Sequence, residues 1–170
     1  QILISNNFDG YNGLPATVAS GWYYSWNDSA AASRSYYTSA GTCGVTCPTY
    51  KFGHDTVTII TPAFSNADSV QFYLKGNGTA HVENNFTILE SPDSTNWTIV
   101  SDIDSISASA TTYTFPLSSS STHLMFVYHK DSLGYNVGLD DIYVFRGSLI
   151  GIDEASKSGV SIYPNPTNGP

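Results

Sequence analysis

SVQFYLK, residues 69 to 75, reads as a β-strand. Val70, Phe72 and Leu74 fall on one side of an extended chain, and Gln71, Tyr73 and Lys75 on the other. Side chains alternate across a strand with period two, so the first three predict a core face and the others a wetter one. Six further runs have the same character: TVTIITP (56–62), NNFTILES (84–91), WTIVSDI (97–103), TTYTFPLS (111–118), THLMFVYHK (122–130) and NVGLDDIYVF (136–145). Each is short, β-branched or aromatic, and bounded by Gly, Pro, Asn or Ser. LMFVY at 124–128 is apolar on both faces, which predicts a central strand. No helical period holds over three turns. Repeated strands at spacings of roughly 10 to 15 residues argue for an all-β fold, an antiparallel β-sandwich.

Composition agrees. The 170 residues are 41% hydrophobic and 14% aromatic, enough for one domain with a real core. Only 12% are charged, so Ser, Thr, Asn and Gly must build the surface, as suits a secreted protein. The net charge is −8 with 6 Lys and Arg. That leaves little to neutralise phosphates, so nucleic acid is a poor partner and a neutral polymer or a cation a better one. No run approaches the roughly 18 apolar residues of a membrane span. Cys43 and Cys47 lie in GTCGVTCP; in an exported chain the spacing predicts a small local disulfide.

Residues 10–51 break the strand rhythm. The long irregular segment is rich in Gly, Ser, Ala and Tyr, and such stretches often carry function. After Arg146 the pattern stops. Residues 147–157 read as a linker, and 158–170 carry SGVSIYPNPTNGP without a core pattern.

Val160-Ser161-Ile162-Tyr163-Pro164-Asn165-Pro166-Thr167-Asn168-Gly169 resembles the start of the C-terminal sorting domain of the Bacteroidetes type IX secretion system. The resemblance implies export across the outer membrane, then surface attachment or release. Residues 1–146 resemble the jelly-roll modules called cleaved-adhesin or choice-of-anchor domains, which are similar to MAM domains and carbohydrate-binding modules. The residues that carry this are Phe8-Asp9, Leu14-Pro15, Gly21-Trp22, Ile59-Ile60-Thr61-Pro62 and Tyr135-Asn136-Val137-Gly138-Leu139-Asp140-Asp141-Ile142. SPDSTNWTIV (91–100) adds a hairpin pattern common in extracellular sandwiches, with Trp97 expected to pack it. Two departures stand out. SWNDSAAAS replaces a calcium loop found in some adhesin modules, and Asp9 replaces the family's Glu.

The resemblance implies a structural calcium ion. Calcium takes roughly six to eight oxygens, and a sandwich brings its first and last strands together. Asp9, Asn7, Asp140 and Asp141 are the expected ligands, with Asn6 and carbonyls near Gly10 beside them. Strand parity pairs Asp140 with Ile142 and Val144, and Asp141 with Leu139 and Tyr143. The alternative is that one Asp accepts backbone N–H bonds while the other is solvated.

Sugar binding is the second expectation. Sugar rings stack on Tyr or Trp while polar groups bond their hydroxyls. Trp26 and Tyr24 lead the candidates, followed by Tyr23, Tyr36, Tyr37 and Tyr73; Trp22 is expected under the core. No catalytic residues stand out: His54, His81, His123 and His129 form no HExxH pattern, and Glu83 and Glu90 make no compelling pair. The expected function is a non-catalytic, monomeric, carbohydrate-binding accessory module. It would tether an attached hydrolase or the cell surface to a neutral polysaccharide. An adhesin-type module for host or matrix proteins is the alternative.

Overall fold

The computed structural model describes residues 1–78 and 84–147. The 147–157 linker, beyond its first residue, and the sorting-domain stretch at 158–170 therefore lie outside the described residues, as do His81, Glu83 and Lys157. Among the described residues, eleven strands form two antiparallel sheets. They are β1 Ile2–Asn6, β2 Tyr23–Tyr24, β3 Tyr36–Tyr37, β4 Thr49–Phe52, β5 Val57–Ile60, β6 Ser69–Gly76, β7 Asn85–Ser91, β8 Thr98–Ile103, β9 Thr111–Pro116, β10 His123–His129 and β11 Val137–Phe145. One sheet runs β3-β4-β11-β6-β9, with β1 also on β11; the other runs β2-β5-β10-β7-β8. From β4 onward the chain changes sheet at every connection except the β7–β8 hairpin, giving a jelly-roll sandwich.

All seven runs read as strands are strands. Val70, Phe72 and Leu74 are fully buried, and Gln71, Tyr73 and Lys75 are half-buried on the outer face. β10 is central in its sheet, as its two apolar faces predicted. Residues 10–51 are mostly irregular, yet they contain β2, β3 and most of β4. β2 and β3 are two residues each, too short for an alternation to register. The chain ends meet: β1 pairs with β11, and the Gln1 ammonium donates to the Arg146 carbonyl at 2.7 Å.

The parity of β11 differs from expectation. Its pairing with β6 shifts between Asp140 and Tyr143, and Asp141 has φ +45°. This is a β-bulge, which adds one residue and resets the alternation. Leu139 and Ile142 therefore both face the core, with Val137 and Val144. Asp140 does not share a face with Ile142; it points outward beside Gly138.

The core is an aromatic chain. Tyr11, Tyr24 and Tyr50 pack with Phe8, at ring-centre separations from 5.0 to 5.9 Å. Phe52, Phe86, Phe72 and Phe126 continue it between the sheets. Trp22 is buried, as expected. Much of the irregular segment thus serves as filling for one end of the sandwich.

Candidate functional site

Cys43 and Cys47 form a disulfide. Their loop lies across the outer face of β11, over Gly138 and Asp140. A Cβ on Gly44 would meet Asp140 Cβ at 2.7 Å, and one on Gly138 would meet Thr49 Cγ2 at 3.1 Å. This close approach buries Asp140 completely, outside the hydrophobic core. Its Oδ2 accepts from the Val45 N–H (3.0 Å), the Thr46 N–H (3.1 Å) and the Thr49 hydroxyl (3.1 Å), and its Oδ1 from the Asp141 N–H (3.0 Å). Burial pushes the Asp140 carboxyl above its usual range, against the pull of the loop N–H groups.

Asp141 is half-buried and contacts the Tyr143 hydroxyl at 3.4 Å. Burial raises its carboxyl, and the Asp9 charge raises it further, so the chain ends do bring these two acids near one another. Asp9 is exposed; its side chain accepts from the Asn7 amide at 2.7 Å. Phe8, at φ +58°, turns its ring inward between them. Asn6 is committed elsewhere, donating to the Tyr24 hydroxyl and accepting from the Phe8 N–H. Two carboxylates and Asn7 therefore suit a hard cation, whereas Asp140 has its oxygens taken. Among the described residues no three His, Cys, Asp or Glu side chains converge as a metal group, so backbone oxygens would have to complete the shell.

The candidate aromatics separate. Tyr24 is 4% exposed and belongs to the core, so no sugar can stack on it. The sequence could not show this, because its neighbour Tyr23 is 56% exposed and the pair differs only in parity. Tyr23 lines an open pocket of about 400 Å³ with Trp22 and Asn27. Tyr36 lines another of about 400 Å³ with Tyr11, Cys47 and Pro48. Tyr73 lies on the outer face of β6, opposite Asp140.

Trp26 and Tyr37 come together around a residue that sequence reading missed. The Lys51 ammonium lies 5.8 Å from the Trp26 ring centre and 5.7 Å from that of Tyr37. His54 meets the Trp26 ring edge-on at 4.4 Å, and Gly53 backs it so closely that a Cβ there would meet Trp26 at 2.7 Å. The Asn77 and Asn136 side chains pull the Tyr37 hydroxyl down, but burial dominates and pushes it up to about 12. Lys130 donates to the Gly53 carbonyl at 3.0 Å and to Asn136 Oδ1 at 2.7 Å. Lys75 stands across Gly138 from Lys51 and donates to the Gly41 carbonyl. The signal in the sequence was Lys51 itself, a lone charge inside TYKF.

A second unforeseen feature lies on the other sheet. Tyr23, Ile60, Met125, Leu89 and Ile99 pair in one row across β2, β5, β10, β7 and β8. Their neighbours Tyr24, Ile59, Phe126 and Ile88 fill the core, so this row is an outward apolar stripe. Its ends are open, with Tyr23 56% and Ile99 58% exposed.

No family model and no curated protein sequence matches this chain. Solved structures do. The K1 cleaved adhesin domain of Lys-gingipain from Porphyromonas gingivalis W83 superposes with a TM-score of 0.64 at 14% identity, over 85% of this chain and 98% of that one. The K3 cleaved adhesin domain gives 0.62 at 10% identity, over 86% and 100%. TmCBM61, solved with β-1,4-galactotriose, gives 0.52 at 12% identity, over 84% and 99%. At such identities the likeness is one of fold, the jelly-roll sandwich shared by adhesin and carbohydrate-binding modules.

Proposed function

We propose that this chain is a non-catalytic module that binds a glycan at the loop end built around Trp26, Tyr37 and Lys51. The observation that carries this reading is their convergence with Asn77, Asn136 and Lys130 on one rim, from segments far apart in sequence. Rings supply a stacking surface, and amides and ammonium groups supply hydroxyl partners. A protein of this fold, TmCBM61, was solved with a bound oligosaccharide. The wild-type protein is expected to be retained on an insoluble polysaccharide without releasing reducing ends. Trp26→Ala is expected to weaken retention by about ten-fold or more, roughly 1.4 kcal/mol, with its circular dichroism unchanged. Failure to bind any polysaccharide would overturn the reading. The apolar stripe from Tyr23 to Ile99 favours a second reading, an adhesin face for proteins. Binding to proteins alone, lost on Met125→Glu, would support it.

Export belongs to the same proposal. The Cys43–Cys47 disulfide fits an oxidising compartment, and the YPNPTNG stretch fits type IX secretion. A calcium ion held between Asp9 and Asp141, with Asn7 beside it, also belongs here. Two carboxylates that repel one another gain from a cation between them. The melting temperature is expected to rise in millimolar calcium over EDTA, and Asp9→Asn or Asp141→Asn to abolish the rise. Identical curves in calcium and in EDTA would remove calcium from the proposal.

A further inference from the structure

From the distribution of positive charge we infer that the Lys51 end of the sandwich reads an anionic group on its sugar, a carboxylate or a sulfate ester, with Lys51 as the residue that pairs with it. This rests on the glycan reading above and narrows the ligand class. A net charge of −8 argues for a neutral partner. Its distribution argues otherwise. The chain has four lysines, and Lys51, Lys75 and Lys130 all stand at or beside this end. Fields of more distant acids fade over a Debye length, about 8 Å at physiological salt. Local charge therefore decides what a bound sugar meets.

Lys51 differs from its two neighbours. Lys75 and Lys130 each donate to a backbone carbonyl. Among the described residues Lys51 has no hydrogen-bond acceptor and no ion pair; its ammonium has two ring faces and a second cation, Lys130, nearby. It is half-buried, and burial, then the Lys130 charge, lowers its pKa, while Asp28 opposes this. The acids of this end are engaged: Asp28 is bonded to the Ser33 hydroxyl and, at 2.8 Å, to the Ala30 N–H, Asp55 accepts from the Lys130 N–H at 3.0 Å, and Asp131 from the Leu133 N–H at 2.9 Å. The Lys130 charge acts against the Lys51 ammonium. A bound anion removes that repulsion and supplies the acceptor that Lys51 lacks. Because the ammonium lies 5.8 Å and 5.7 Å from the Trp26 and Tyr37 ring centres, a sugar held on this rim would bring a ring substituent to it. A uronate carboxylate and a sulfate ester share this chemistry.

The test is affinity electrophoresis of the whole protein in gels with polygalacturonate, fully methyl-esterified polygalacturonan, dextran sulfate or dextran. Preference for polygalacturonate over its ester would assign a carboxylate; preference for dextran sulfate over dextran would assign a sulfate. In either case Lys51→Met is expected to cost about ten-fold or more on the charged polymer and to erase the preference for it over the neutral one. Lys51→Arg, which keeps the charge, is expected to keep the preference, and melting curves check that both variants fold. Equal retention on charged and neutral polymers, or a preference unchanged by Lys51→Met, overturns the inference and leaves the glycan reading standing. No retention on these or any other glycan overturns both.

Discussion

Asp140→Ala is expected to lower stability by about 3 kcal/mol, or a melting temperature roughly 6 to 12 °C below wild type for a domain of this size. The carboxylate is fully buried yet lies outside the apolar core. It gathers the N–H groups of Val45, Thr46 and Asp141 and the Thr49 hydroxyl. Hydrogen bonds to a charged acceptor are worth more than neutral ones, and donors left buried without it carry the larger cost. Asn in its place cannot accept at both termini, so Asp140→Asn is expected to show about half the loss. The damage should be local at first. With Asp140 gone, the Cys43–Cys47 loop loses its anchor on β11, and the disulfide should be reduced faster by a mild thiol. Both measurements belong in EDTA, so that no cation contributes. A melting temperature within about 1 °C of wild type, with unchanged reduction kinetics, would show that the loop holds itself.

The same carboxylate marks the boundary of what the sequence can express. Strands β5 to β11 were legible because each combines period two with its own turn residues. β1 was not, because its five residues gain their order from pairing with β11, at the other end of the chain. The facing of the Asp pair was misread for a different reason. A bulge has no period of its own; its one trace in the composition is the pair of aspartates, since Asp tolerates positive φ better than most residues. Tyr23 and Tyr24 illustrate a third limit: adjacent identical residues, one for solvent and one for the core, can be told apart only once β2 is paired with β5. The Lys51 cradle is assembled from the β2–β3 connection, β3, β4 and the β10–β11 connection, and no linear motif joins those segments.

Raising the pH above 10 is expected to unfold this protein in one cooperative step. Tyr11, Tyr24, Tyr37, Tyr50 and Tyr128 are all pushed upward, chiefly by burial, Tyr11 and Tyr37 to about 12. An unfolded tyrosine ionises near its ordinary value of 10.0. The folded chain thus keeps protons that the unfolded chain releases. Their contribution is fully present below about pH 10 and is lost as the pH climbs from there through the folded values. For Tyr11, a shift from 10.0 to about 12 corresponds to roughly 2.7 kcal/mol once complete. Tyr11, Tyr24 and Tyr50 are packed ring against ring, so an ionised member also repels its neighbours' ionisation. Several such terms together reach the typical 5–15 kcal/mol of a whole domain (on the order of its total stability). Tyrosinate absorbance and near-ultraviolet circular dichroism should therefore change together between about pH 10 and pH 12. Tyr50→Phe tests the cause. It removes one titrating hydroxyl and the 2.8 Å bond from that hydroxyl to the Trp26 carbonyl, while keeping the ring. The variant is expected to be less stable at neutral pH and to lose less stability between pH 7 and pH 11. A gradual tyrosinate titration with circular dichroism intact at pH 12 would mean that the aromatic core opens to hydroxide without unfolding.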